Sequence, residues 1–321
     1  MPTPLVSVVI PTHNRRNSVK RLVQSVLNSS YKNVEIIVVD DASSDGTLAF
    51  LTEKYRKNKN ITILHNKKNL YTAATRNKGA EKAKGDYIFF VDDDNVVDKN
   101  TIAELVKPFE DDHLIGEIGP INYNFNSKKK VLWCVTRRDM FTTKTYQPRS
   151  HKEFGKRLTW STADVPNAFM VRREVFKKYK IKFREVFEIM YEESDYAYRV
   201  RNAGFKVVVA RNARIYHDIE EARSKKKKKK DYLYHFMDNP RRPYLTARNR
   251  ILFHSLYSTK MELFFIIVFW VWLFCFYYCY QMIMYSGFGS FSFRKRMHQV
   301  KQYLKGNIDG IVFLAKKNAI T

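Results

Sequence analysis

The sequence predicts an α/β domain with a mostly parallel, Rossmann-like sheet and helices on both faces, followed by a C-terminal helical segment that associates with a membrane. Three observations predict this. Through residues 5–222, short and largely apolar runs alternate with helical patterns, as in a parallel sheet buried on both faces. Polar or acidic residues close those runs: Pro11-Thr-His-Asn14, Asp40-Asp41 and Asp92-Asp-Asp94. Near the end, Leu263 to Tyr285 is a stretch of 23 residues without formal charge, and a helix needs ~20 to cross a bilayer.

The elements follow in order. Leu5 to Ile10 reads as a strand, and Val19, Leu22, Val23, Val26 and Leu27 recur behind it at helical spacing. Val34 to Val39 is a second strand running into Asp40-Asp41, and Ser43 to Thr47 makes a turn and helix start for Leu48, Leu51 and Tyr55. Ile61 to Leu64 is the third strand. An Ala-rich helix, Ala73 to Lys84 with Gly85 closing it, leads to a fourth strand, Tyr87 to Val91. The second half is less regular: Val165 to Val171 and Phe205 to Ala210 read as strands, and Glu193 to Asn202 as a helix closed by Gly204. After residue 222 comes the lysine run Lys225 to Lys230, a solvated spacer or a binder of anionic lipid. The expected division is 1–222 for the α/β domain, 223–262 for a basic linker and amphipathic helix, and 263–321 for the apolar segment and a short basic tail.

Formal charge is +26, from 58 Lys and Arg against 32 Asp and Glu. That balance suits nucleic acid, an anionic membrane or phosphorylated substrates. Three Cys without zinc-like spacing suit a reducing compartment, and Cys275 and Cys279 read as packing residues. The N-terminal apolar run is too short for a signal-peptide core. No Gly precedes Gly46, so strand 1 cannot carry a glycine dinucleotide fingerprint, and no P-loop is present. A phosphate ligand then needs some other counter-charge. Three adjacent acids at Asp92, Asp93 and Asp94 raise one another's pKa and call for a cation, a divalent metal first. In a parallel sheet they lie beyond the carboxyl ends of the strands, where ligands gather.

The segments SVVIPTHNR, IIVVDDASSDGT, AATRNKGAEKAKGDYIFFVDDDN and YEESDYAYRVRNAGFKV, in this order, resemble the family-2 inverting glycosyltransferases with the GT-A nucleotide-diphospho-sugar transferase fold. RRPYLTARNRILF and LKGNIDGIVFLAKK resemble the tails of rhamnosyltransferase-like members. The resemblance implies that Pro11, Thr12 and Asn14 flank the nucleobase, that Asp41 hydrogen-bonds it, and that Arg76 lies near the nucleotide. It implies Asp94 as direct ligand of Mn2+ or Mg2+, with Asp92 and Asp93 on ribose or metal-bound water, and His217 adding a metal or phosphate contact. Glu193 falls at the catalytic base, which takes the acceptor's proton as the nucleoside diphosphate leaves. The implied partners are a nucleotide-sugar donor, a UDP-sugar first, a lipid-linked or glycan acceptor, and a membrane, with no nucleic acid.

Plainer readings stand beside these. Asp40-Asp41 also suits a strand-end turn, and Glu192 and Glu193 both suit a helix start, where acids favour the dipole. Asp195 and Arg199 have the spacing of an i,i+4 ion pair, and His217 suits packing at a strand end. The positive charge keeps a basic nucleic-acid-binding protein or metal-dependent nuclease as the alternative. Residues 223–260 hold twelve Lys and Arg, and residues 294–317 hold seven. A spanning helix with that asymmetry puts the catalytic domain in the cytoplasm, whereas basic residues on both flanks also suit a helix in the interface. Either way Arg241, Arg242, Arg248 and Arg250 are expected near lipid phosphates.

Overall fold

The structure, a computed structural model, describes residues 3–148, 150, 154–218, 239, 241–284 and 292–315. The lysine run and Tyr285 lie outside the described residues. Contacts divide the chain into two compact units: Met1–Arg137 with Tyr146–Glu188 and Glu192–Ala222, and Arg138–Thr145 with Ile189–Tyr191 and Arg223–Thr321.

In the first unit the strands are β1 (Val6–Thr12), β2 (Val34–Asp40), β3 (Ile61–His65), β4 (Tyr87–Val91), β5 (Asn95–Val97), β6 (Ile115–Asn124) and β7 (Val131–Trp133). A short hairpin, β8 (Arg137–Arg138) with β9 (Thr145–Tyr146), precedes β10 (Thr159–Ser161), β11 (Ala168–Arg172) and β12 (Lys206–His217). One sheet takes the order β10-β12-β6-β11-β4-β1-β2-β3, with β5 pairing β12 and β7 pairing β6. The strands β3, β2, β1 and β4 are parallel, and β11 enters antiparallel between β4 and β6. The chain leaves β1 for β2 on one side and reaches β4 on the other. The crevice at their carboxyl ends is thus the switch point where ligands bind in open α/β sheets.

Alternate residues send their side chains to opposite faces, and both faces are covered. Val8 and Ile10 join a core with Val19, Leu22 and Val23 of α1 (Arg16–Leu27) and Leu105 and Phe109 of α4 (Thr101–Asp111). Val9 and Ile37 join the other core, with Ala73 and Ala80 of α3 (Tyr71–Lys82) and Tyr196 and Val200 of α6 (Glu192–Asn202). Pro11 fits a central strand because pairing of β1 with β4 stops at Val9↔Phe90, so no partner there needs its missing N–H. The helices α2 (Thr47–Tyr55) and α5 (Arg173–Lys177) complete the unit.

Several boundaries moved from expectation. The helix α3 starts two residues early and ends at Lys82. Gly85 does not cap it; a Cβ there would lie 2.6 Å from Ser7 N of β1. Gly204 does close α6, in the left-handed conformation at φ +90°. The strand expected from Val165 begins only at Ala168, after Pro166 and Asn167, and β12 runs on to His217. The ten-residue β6 was not anticipated, because Gly116, Gly119 and Pro120 interrupt its apolar pattern.

In the second unit, α7 (Arg242–Tyr257), α8 (Lys260–Met284) and α9 (Phe293–Ala315) are helices. A capping box starts α8: Thr259 Oγ1 accepts from Glu262 N, and Glu262 Oε2 accepts from Thr259 N. The helix α8 is long and apolar enough to cross a membrane, and only 17% of its most apolar window is buried in the protein. The helix α7 is not amphipathic as expected. Leu245–Ala247 and Asn249–Ser255 are buried on all sides of it, and Arg250 lies inside, donating to Tyr303 Oη at 2.5 Å.

Gly79 sets the distance between α3 and the sheet, since a Cβ there would fall 2.4 Å from Val9 Cγ1 and 3.1 Å from Val39 Cγ2. Both valines are β-branched, fully buried and stiff at χ1. Gly79→Ala is therefore expected to lower stability by about 1–3 kcal/mol through overpacking, despite the better helix propensity of Ala, as read by urea unfolding.

Candidate active site

The turns that follow β1, β2 and β4 assemble one polar rim. Asn14 clamps two of them together: its N–H donates to Ser43 Oγ at 2.9 Å and its Oδ1 accepts from Ser44 N at 2.7 Å. It does so from the left-handed region, φ 53°, which Asn tolerates. Asp41 holds the loop into α3. Its Oδ1 accepts from Asn66 Nδ2 and Leu70 N, and its Oδ2 from Tyr71 N, all at 2.8–2.9 Å. Those bonds fix Tyr71 at φ 64°, a costly conformation for an aromatic residue. Three of the roughly four acceptor sites of Asp41 are thereby filled within the protein.

The acidic triplet is met first by protein cations. The Arg15 guanidinium donates from Nη1 to Asp93 Oδ1 at 2.8 Å and to Asp94 Oδ2 at 2.9 Å. Thr12 Oγ1 donates to Asp93 Oδ2 at 2.7 Å. Burial pushes the Asp93 carboxyl up to about 6, and the Asp94 charge adds to it against the pull of Arg15. Burial acts the same way on Asp94, but His217 and Arg15 together hold it below the usual carboxylate range. Asp92 faces the other way, towards Arg76.

Arg76 projects from α3 into the core, its side chain fully buried, over the rings of Phe169 and Phe183. Its Nη2 donates to Asp92 Oδ1 at 2.6 Å and to Glu193 Oε1 at 2.8 Å, and its Nη1 lies 3.6 Å from Glu192 Oε1. It therefore stands behind the carboxylates rather than in open space. Glu193 Oε1 also accepts from Asn167 N at 3.0 Å. Its Oε2 has no hydrogen bond among the described residues. Burial pushes the Glu193 carboxyl up to about 8; Arg76 opposes this, and Glu192 and Asp92 add to it. Asp195 is occupied by Arg199 at 2.7 Å and Arg184 at 2.8 Å, as a structural pair.

His217 arrives from the far end of β12, where β5 pairs with it in the register His217↔Asn95. Its Nδ1 lies 3.4 Å from Asp94 Oδ1, is buried and accepts or donates no hydrogen bond among the described residues. Two donors that each sit about 2.0–2.2 Å from one cation can be that far apart. Among the described residues no group of three or more His, Cys, Asp or Glu is arranged to hold a metal by itself. Two protein donors do suit Mg2+ or Mn2+, which commonly take one or two side chains and fill the remaining positions with substrate phosphates and water. The orphaned Nδ1 beside Asp94 therefore fits a cation.

Sequence reasoning assigned no role to Arg15 and Asn167. Arg15 carried a signal, as a cation directly after the polar end of strand 1. Asn167 acts through its backbone N–H at φ 67°, and only the Pro-Asn pair before an apolar run hinted at it.

A family model described as Glycosyl transferase family 2 matches residues 7–180. An uncharacterized glycosyltransferase of Haemophilus influenzae is 34% identical over 125 residues, 39% of this chain and 49% of that protein. A putative teichuronic acid biosynthesis glycosyltransferase of Bacillus subtilis, TuaG, is 37% identical over 104 residues, 32% of this chain and 41% of that protein. The chain thus spans about half or less of the length of these curated relatives. Among solved structures, S. aureus TarS 1–349 in complex with UDP-GlcNAc aligns with a TM-score of 0.58 at 17% identity, covering 98% of this chain and 82% of that one. GalNAc-T7 with UDP, GalNAc and Mn2+ aligns with a TM-score of 0.59 at 21% identity, over 68% of this chain and 44% of that one. At these identities the two structures show a shared fold of the GT-A type.

Removing a buried cation that several carboxylates share leaves them uncompensated. Arg76→Met keeps the stem's volume and is expected to cost about 3–5 kcal/mol at neutral pH. The deficit should shrink as the pH falls through the raised pKa of Glu193, because protonation removes that charge from the uncompensated cluster. Urea unfolding at several pH values measures both effects, and a pH-independent loss would mean that Arg76 acts by packing alone.

Proposed function

The chain belongs to glycosyl transferase family 2, and from that premise we propose that it is a metal-dependent inverting transferase. It moves a sugar from a nucleoside diphosphate donor, a UDP-sugar first, to a hydroxyl or phosphate of a lipid-linked glycan acceptor. The family assignment replaces the nuclease reading of the acidic triplet. One observation carries the mechanism: a single buried guanidinium, Arg76, holds both Asp92 of the triplet and Glu193. A donor-side acid and an acceptor-side acid are thereby kept in fixed relation.

Glu193 is the base in this reading. Arg76 and Asn167 fix Oε1, which leaves Oε2 to take the proton of the attacking hydroxyl. A raised pKa suits the task, since a base near the working pH combines a usable ionised fraction with a strong pull on the proton. Asp94 and His217 would hold the divalent cation, which when bound offsets the charge growing on the departing diphosphate. Asp93, anchored by Thr12 and Arg15, and Asp92, anchored by Arg76, orient the ribose or cation-bound water. The loop clamped by Asn14, with Pro11 before it, lines the nucleobase, and Asp41 keeps one acceptor site for it. The TarS complex with UDP-GlcNAc supports a UDP-sugar, and the Mn2+ of GalNAc-T7 supports a divalent ion. The apolar helix α8 supports an acceptor held at a membrane, with the catalytic unit on the cytoplasmic side where nucleotide sugars are made.

Two outcomes test the reading. Because the ionised form of Glu193 is the active one, kcat/KM should rise with pH and level off above about 8. Glu193→Gln should lose that rise together with a factor of ~10²–10⁴ in kcat while still binding donor. If Glu192→Gln is the inactive variant instead, the base is one residue away. Asp94→Ala should abolish metal-dependent turnover and metal-dependent nucleotide binding in calorimetry without a change in fold. Turnover that persists in this variant in the presence of EDTA excludes the metal role.

A further inference from the structure

The helix α8 presents two faces. Met261, Phe264, Val268, Trp272, Phe276 and Tyr280 follow one another at three- and four-residue steps, and all are exposed, Trp272 at 60% and Phe276 at 74%. A helix of 3.6 residues per turn would let this stripe drift, but Ile266–Trp270 forms a π-helical stretch. The wider turn offsets the drift between Phe264 and Trp272, and beyond it the exposed band widens to take in Leu273 and Tyr277. On the other face, Ile266 and Val271 pack with Ile251 of α7 and with Ile311 and Leu314 of α9. Further along, Cys275 and Met282 pack with Ala247, Val300 and Tyr303.

Those contacts run antiparallel along nearly the whole of α8. Residues at its start meet the end of α9, and Arg296 Nη1 near the start of α9 donates to Ile283 O near the end of α8 at 2.9 Å. Any orientation of α8 in a bilayer is therefore shared by α9. Between its contact residues α9 carries Lys301, Lys305 and Asp309, the last two paired at 2.8 Å, and buries Gln299 and Asn307. The helix α7 adds buried Arg250, bonded to Tyr303 and stacked on Phe274 at 4.5 Å, and buried His254. If α8 stood across the bilayer, these charges would lie at hydrocarbon depth, where ionisable groups are most costly.

We propose that α8 lies flat in the membrane interface, its exposed stripe in the lipid and its other face covered by α7 and α9, so that it does not cross. Lys301 and Lys305 alternate with exposed Leu304 and Ile308 on α9, the arrangement of long basic stems that snorkel to headgroups. Lys260 and Arg294 stand at the starts of the two helices, and with a net charge of +26 the bilayer best matched is anionic. The inference goes beyond the transferase reading, and its readouts need neither donor nor acceptor, so either can fail alone.

Full-length protein should float with vesicles containing phosphatidylglycerol and much less with pure phosphatidylcholine. Val268→Glu/Trp272→Glu/Phe276→Glu should weaken vesicle binding at least ~100-fold, with circular dichroism and Tm as the control for folding. Should that variant unfold, Lys301→Glu/Lys305→Glu changes only exposed positions of α9 and should lose the preference for anionic vesicles. In sealed inside-out membrane vesicles, protease should remove a C-terminal tag as readily as it cuts the catalytic unit. A tag that is shielded while the catalytic unit is cut overturns the proposal, because the helix then crosses. A dimer in sedimentation that the stripe variant converts to monomer, with no vesicle binding by either protein, also overturns it, since a second copy then covers the stripe.

Discussion

The site depends on one buried guanidinium. Arg76 leaves α3 for the interior, over two aromatic rings, and among the described residues its ionic partners come from two distant stretches of chain, the turn after β4 and the start of α6. A cation so placed is stable only if carboxylates reach it, and carboxylates crowded together are tolerable only around a cation. Each side therefore requires the other. The helix must also come close to the sheet for the reach to work, which the small residues Ala73, Gly79 and Ala80 permit.

Charge balance explains the remainder of the rim. Three successive carboxylates are divided among separate partners: Asp92 to Arg76, Asp93 to Arg15 and Thr12, and Asp94 to Arg15 and His217. The division sets the three apart chemically. Asp94 stays ionised while Asp93 is pushed up towards neutrality. Adjacent residues of one type acquire distinct properties from the side chains that face them, and a cation or phosphate that enters meets an arrangement already polarised.

Much of this was legible in the chain. The strands β1 to β4 were visible because each is a short apolar run ended by polar residues, and their parallel pairing follows from the helical patterns between them. The crowding of acids at Asp92 to Asp94 pointed to a cation, and the spacing of Asp195 and Arg199 to an ion pair. What escaped shares a physical origin. The strand β6 is broken by glycines that make room for neighbours, so periodicity alone cannot find it. Arg15 answers the triplet through contacts between residues distant in sequence, and so do the bonds of Arg76, of which the resemblance gave only a place near the nucleotide. Asn167 works through its backbone, which a side-chain code does not record. Arg250 and the burial of α7 were misjudged for a related reason: the partner that encloses them, α9, reads from the sequence only as a short basic tail.

The order of the counter-charges along the chain has a further consequence. Arg15 and Arg76 both precede the acidic triplet, whereas Glu193 and His217 follow it far downstream. A ribosome releases the chain from the N-terminus, and folding begins on what has emerged. When Asp92 to Asp94 leave the tunnel, both arginines are already outside, together with β1, β2 and β3. The nascent sheet can pair much of that negative charge at once, without waiting for Glu193 and His217. The arginines that face the triplet are thus made before it, and the groups proposed for catalysis after it.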